Sequence, residues 1–256
     1  MTSDLARRLT RERFPRSAGY EPQWLIDNWM GPQPLWLLEW LWPALDLPPG
    51  ARVLDLGCGT ALTSIFLARE FDAQVVAADL WVKPTDNWAR ITSAGCAGQI
   101  IPVHAEAHDL PFAEGYFDAI VSVDAYHYFG TDERYLAYLS RFLAPGGRIG
   151  IAVPGLVDEL PDNQVPEHLR PYWQADFWTF HSPGWWRALW GRSGAVDVEQ
   201  ADCLDEGWRD WALWCEVCAE RSTSEFVLGI VAGEGEMVRL DAGRNLGFVR
   251  VVGRRR

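Results

Sequence analysis

Two stretches of the chain hold residues whose types and spacing could do chemistry. In the first, VLDLGCGTALTS at 53–64, an apolar run ends in Gly57 and Gly59 and passes into small residues that could open a helix. A glycine turn of this kind brings backbone N–H groups and a helix N-terminus up to a ligand. Leu62 stands where a dinucleotide fingerprint has its third glycine, and the carboxylate of Asp55 disfavours a pyrophosphate, so an uncharged or cationic ligand suits the turn better. Asp79, about twenty residues further on, is where an acid accepts hydrogen bonds from ribose hydroxyls. The second stretch, Asp124-Ala125-Tyr126-His127-Tyr128, is the densest polar-aromatic cluster in the sequence. His127 has the intrinsic pKa of a general base, and Asp124 and Tyr126 stand beside it. The same three residues could equally tie down a loop.

Other constellations carry less. His104, Glu106 and His108 form H-x-E-x-H on a strand end, without the helical spacing of a zinc protease, and no metal is assigned. Cys215 and Cys218 form a lone C-x-x-C in DWALWCEVCAE, which reads as helix and has no second pair to complete a zinc site. Five cysteines in a chain of this length read as reduced thiols. With 35 acidic against 23 basic residues the net charge is -12, which repels phosphate backbones and argues against a nucleic-acid partner. The one compact basic run, Gly253-Arg254-Arg255-Arg256, reads as a frayed tail. Neither a secretory signal nor an apolar run long enough for a membrane span is visible, so the expectation is a soluble, cytoplasmic protein, monomer or homodimer. Fifteen tryptophans, clustered at 24–42, 173–190 and 208–214, serve packing first, with a few available to face a ligand.

Strand ends must position these residues. ARVLDLG (51–57), AQVVAADL (73–80), QIIPVHAE, YFDAIVSVDA and GRIGIAVPG are β-rich apolar runs, alternating with helical TSIFLAREF, NWARITSAG and DERYLAYLSRFLAPGG, the last stopped by Pro145-Gly146-Gly147. AVDVEQAD (195–202) and LGFVRVVG (246–253) complete seven candidate strands, with one or two helices between them. Strands without clean alternation, flanked by apolar helices, belong to a parallel sheet covered on both faces. The expected fold class is therefore α/β, a doubly wound, Rossmann-like sheet. Residues 22–45 read as two helical pieces broken at Gly31-Pro32 and Pro34, and PGWWRALWGRSG opens as a helix after Ser182-Pro183.

VLDLGCGTA, AADL, AEAHDLPFAEGYFDAIVSVDAYHYF and LAPGGRIGI, in this order and spacing over residues 50–153, resemble class I S-adenosylmethionine-dependent methyltransferases, and YEPQWLIDNWMGP with NLGFVRVVGRR resembles a bacterial small-molecule group among them. The resemblance implies one domain over 1–256: a helical lid (1–49), a cofactor-binding core (50–153), a substrate-cap segment (154–194) and a C-terminal part (195–256) that ends in an antiparallel seventh strand. It implies S-adenosylmethionine as cofactor. Asp55, Gly57 and Gly59 would line its methionine part, Asp79 would take the ribose hydroxyls, and Leu80 would pack on the adenine. Glu106 and Ala107 would address the adenine edge, and Ser122 with Val123 would lie beside the sulfonium.

Methyl transfer is an in-line displacement, for which a protein chiefly positions a nucleophile and removes its proton. His127, Asp124 and Tyr126 are the catalytic candidates. Tyr20 and Trp24 in the lid, and His181 in the aromatic segment after the fifth strand, are the substrate candidates. The implied reaction is methylation of an O, N, S or C atom of a small molecule. A nicotinamide-dependent oxidoreductase, disfavoured by Leu62 and Asp55, and a non-catalytic cofactor-binding module are the other readings the residues leave open.

Overall fold

Val53–Leu56 and Ala119–Val123 are buried on both faces of their strands, the pattern that a sheet covered by helices on either side imposes. In the computed structural model, which describes residues 2–256, seven strands form one sheet. They are β1 (Arg52–Leu56), β2 (Gln74–Asp79), β3 (Ile100–His104), β4 (Phe117–Val123), β5 (Leu143–Leu156), β6 (Val196–Cys203) and β7 (Leu246–Arg255), in the spatial order β3-β2-β1-β4-β5-β7-β6. The first five run parallel, and β7 lies antiparallel between β5 and β6. The order reverses between β1 and β4, so their carboxyl ends open the crevice in which doubly wound sheets bind ligands.

The helices are α1 (Thr2–Leu9), α2 (Pro22–Asp27), α3 (Pro34–Leu41), α4 (Leu62–Phe71), α5 (Pro84–Ser93), α6 (Tyr126–Phe129), α7 (Tyr135–Leu139), α8 (Pro183–Ser193), α9 (Gly207–Arg221) and α10 (Glu225–Asp241). Proline opens α2, α3 and α8, and the side chains of Glu21, Gln33 and Ser182 accept the first free N–H groups at those termini. On one face α3, α4 and α9 bury Leu38, Phe66 and Trp214 in a core shared with Val53 and Phe248. On the other, Tyr126, Trp186 and Trp190 pack with Ile120, Ile149 and Val251. No helix is long and apolar enough to cross a membrane among the described residues.

Three expectations change. The helix read over DERYLAYLSRFLAPGG is only α7 and a short 3-10 turn, because Leu143 already pairs with Phe117 and the Pro145-Gly146-Gly147 segment is absorbed as an irregularity in β5. The C-terminal arginines are no frayed tail. Arg254 and Arg255 pair within the sheet, and Arg256 reaches Asp197 at 2.7 Å. Within 154–194, where a cap was expected, α8 packs on the sheet with Trp186 and Trp190 fully buried.

Candidate active site

A cavity of about 340 Å³ opens at the carboxyl ends of β1, β2, β3 and β4. Its wall comes from the turn after β1 (Leu56 to Thr60), the end of β2 (Ala78 to Trp81), the loop after β3 (Ala105 to His108) and the loop after β4 (Val123 to Ala125, Tyr128, Phe129). Asn28, Met30, Gly31, Pro32 and Pro34, between α2 and α3, close it from the lid side.

The glycine turn lies on this wall as expected. Gly57 (φ +74°) and Gly59 (φ +52°) both adopt left-handed backbone, the Cβ of Ala125 fills the space where a Gly57 side chain would start, and Met30 lies 3.3 Å from the Cβ position of Gly59. Asp79 locks the turn to the end of β2. One of its oxygens accepts from Gly59 N (2.8 Å) and the other from Trp81 N (2.7 Å) and Val82 N (2.8 Å). A second network holds the lid down: Thr60 Oγ1 donates to Asn28 O (2.8 Å), Arg90 Nε to Asn28 Oδ1 (2.6 Å), and Asn87 Nδ2 to Gly59 O (2.9 Å).

Leu80, Glu106 and Ala107 also line the cavity. The Glu106 carboxylate is occupied by His108, accepting from its backbone N and meeting its Nδ1, both at 2.8 Å. Burial acts to raise its pKa, but these bonds more than offset that and hold it below the ordinary carboxylate range.

Asp55 and Ser122 stand away from the wall. Asp55 is 1% exposed, and its Oδ2 accepts the hydroxyls of Thr63 and Ser64, each at 2.6 Å, which turns the carboxylate under the start of α4. Burial pushes it up to about 6 against the pull of those two hydroxyls. Ser122 donates to Leu56 O at 2.7 Å and ties β4 to β1.

Of the three catalytic candidates, only Asp124 reaches the cavity. Its left-handed backbone (φ +55°) turns the chain at the end of β4, so the two residues of α6 that follow face the protein interior. Tyr126 is fully buried against Phe129, Tyr135 and Trp186. His127 is 1% exposed, makes no hydrogen bond through either ring nitrogen, and is pushed by burial down to about 3, which makes it a neutral ring at physiological pH and a poor base.

The substrate candidates are likewise elsewhere. Tyr20 sits under the lid, stacked on Trp24 and bonded to Glu70 Oε1 at 3.2 Å. His181 stacks on Trp185 and meets Glu159 at 3.2 Å. In their place the wall presents Tyr128 of the polar-aromatic stretch, together with Met30, Trp81, Asn28 and Gly31, which sequence patterns did not single out as site residues. Glu234 of α10 stands close enough for its charge to act on Asp124. Among the described residues no three His, Cys, Asp or Glu side chains are placed to share a metal ion.

Residues 53–147 match a family described as a methyltransferase domain. Over 128 residues the chain is 30% identical to methyltransferase GfsG of Streptomyces halstedii, a match covering 48% of this chain and 46% of that protein. It spans less than half the length of the curated relatives it matches first. The fold is similar to that of Haemonchus contortus phosphoethanolamine N-methyltransferase 2 solved with S-adenosyl-L-methionine, with a TM-score of 0.74 and 17% identity over 98% of this chain and 60% of that one. It is similar also to geranyl diphosphate C-methyltransferase of Streptomyces coelicolor A3(2), with a TM-score of 0.65 and 19% identity over 100% of this chain and 98% of the other.

Proposed function

We propose that this chain, whose residues 53–147 match a methyltransferase domain family, binds S-adenosylmethionine and transfers its methyl group to a nucleophilic atom of a small molecule. The observation that carries the reading is Asp79. Its carboxylate is fixed at the end of β2 by three backbone N–H groups and lines the same cavity as the Gly57–Gly59 turn.

The cavity suits that cofactor by the chemistry of its donors. Asp79 Oδ1 already accepts two backbone N–H groups, and Oδ2, which accepts one, keeps acceptor capacity for a ribose hydroxyl. The two glycines let backbone pass close to a ligand, and half-exposed Leu80 offers an apolar face for the adenine. Ala107 and the backbone beside Glu106 would meet the adenine edge. No lysine or arginine stands on the wall, which accords with a phosphate-free, positively charged ligand.

The bound cofactor supplies an electrophilic methyl group on sulfur. Asp55 holds the start of α4 through Thr63 and Ser64, the Asn28 latch holds the lid loop over the cavity, and Asp124 and Tyr128 face the space left for an acceptor. The limited volume beneath that loop favours a small acceptor.

The test is incubation with S-adenosylmethionine and a panel of small O, N, S and C nucleophiles. Acceptor-dependent release of S-adenosylhomocysteine is the expected result. Hydride exchange with a nicotinamide cofactor in its place refutes the reading.

A further inference from the structure

The cavity wall carries three carboxylates, Asp79, Glu106 and Asp124, and no lysine or arginine. The first two are matched: Asp79 accepts three backbone N–H groups, and Glu106 is held by His108. Asp124 differs from both. Its carboxylate accepts no hydrogen bond and meets no cation among the described residues, although it faces a cavity and is only partly exposed. Leaving a carboxylate so placed is costly unless a ligand supplies the missing donor.

Backbone features hold it there. Asp124 itself adopts the left-handed conformation at φ +55°, a strained choice for a residue with a side chain. Gly31 of the lid loop has no side chain where one would collide with the Asp124 carboxylate. Glu234 of α10 accepts from the Trp211 indole N–H at 3.3 Å, and its charge acts on Asp124. Tyr128, on the wall and half-exposed, has Trp81 at a ring distance of 6.1 Å, so aromatic faces adjoin the acid.

We propose that Asp124, backed by Glu234, is the cation-binding end of the acceptor site, and that the acceptor is the nitrogen of a small amine that arrives protonated. The inference rests on the methyl-transfer reading and narrows it to one class of substrate. An anionic acceptor brings no donor for Asp124 and is repelled by either acid when ionised, and a neutral one brings no charge to hold the Asp124 carboxylate. In the empty cavity burial and Glu234 favour the neutral carboxyl, so an ammonium binds with release of one proton to solvent. The carboxylate formed then accepts one proton from the ammonium nitrogen, leaving the lone pair on nitrogen free and the carboxyl neutral again.

The experiment is calorimetric titration of phenethylamine, phenethyl alcohol and phenylacetate into the full chain, with and without saturating S-adenosylhomocysteine. Wild type, Asp124→Asn and Glu234→Gln are compared, in buffers of different ionisation enthalpy. The amine is expected to bind about tenfold or more tighter than the alcohol, with the acid weakest and about one proton released. The preference is expected to vanish in Asp124→Asn and to shrink in Glu234→Gln. Equal binding of the three, tighter binding of the acid, or no binding of the amine at millimolar concentration overturns the proposal. So does a preference that survives in Asp124→Asn while S-adenosylhomocysteine affinity falls, because Asp124 then serves the cofactor. Should Asp124→Asn fail to fold, the wild-type preference and its change in Glu234→Gln decide. Failure of S-adenosylhomocysteine to bind strikes the cofactor reading separately, and the amine series on the cofactor-free chain still decides this one.

Discussion

Glu234→Gln should change how stability depends on pH. Burial raises the Glu234 carboxyl from the ordinary 4.5 to about 7, with the Trp211 N–H pulling weakly the other way. Between those values the native protein keeps a proton that the unfolded chain has already released, so stability falls as pH rises through this window. At about 1.4 kcal/mol per pH unit the loss is about 3 kcal/mol. Asp55, raised from 3.8 to about 6 by burial, adds a loss of the same sign and similar size at slightly lower pH. Glutamine keeps an oxygen for the Trp211 N–H and carries no charge. The variant should therefore match wild type near about pH 4 and exceed it by about 3 kcal/mol near about pH 8, and the variant should keep only the part of the pH dependence due to Asp55 and Asp124. Urea denaturation followed by tryptophan fluorescence measures this directly. Identical pH dependence in the two proteins would refute the placement of Glu234 in a desolvated site.

Asp79→Ala removes the acceptor for a ribose diol and three backbone bonds of the turn, so affinity for S-adenosylmethionine and S-adenosylhomocysteine should fall by about 2–4 kcal/mol, roughly 30- to 1000-fold, in calorimetric titration. An unchanged affinity would remove Asp79 from the binding site. His127→Phe replaces a buried, unpartnered ring by an apolar one, and a gain of up to about 2 kcal/mol in denaturation with unchanged cofactor affinity is expected. A comparable loss of stability would mean that the ring nitrogens have partners that matter.

The strands were legible because their apolar runs end at glycines or acids. Each of the seven expected strands is present, and β5 alone begins appreciably earlier, since Leu143 finds a partner in Phe117 that no local pattern announces. Gly57, Gly59 and Asp79 were legible for the same reason, because a strand end and a turn fix their positions along the chain. Tyr126 and His127 lie outside the cavity because Asp124 adopts a left-handed backbone, and of the residues after it Ala125 lines the cavity while Tyr126 and His127 are buried. Asp55 stands away from the cavity wall because the hydroxyls of Thr63 and Ser64 capture it from a helix whose direction the sequence does not state. Glu234 lies far from Asp124 in sequence, and only the packing of α10 beside the lid brings its charge to the cavity. Tyr20 packs between Trp24 and Phe66, and neither it nor Trp24 lines the cavity.

The most direct measurement is calorimetric titration of S-adenosylmethionine, S-adenosylhomocysteine and NAD into the full chain. If the cavity beneath the Gly57–Gly59 turn is the cofactor site, both sulfur compounds bind with one-to-one stoichiometry and NAD does not. Binding of NAD alone, or of none of the three, would contradict it and leave the fold without the activity proposed for it.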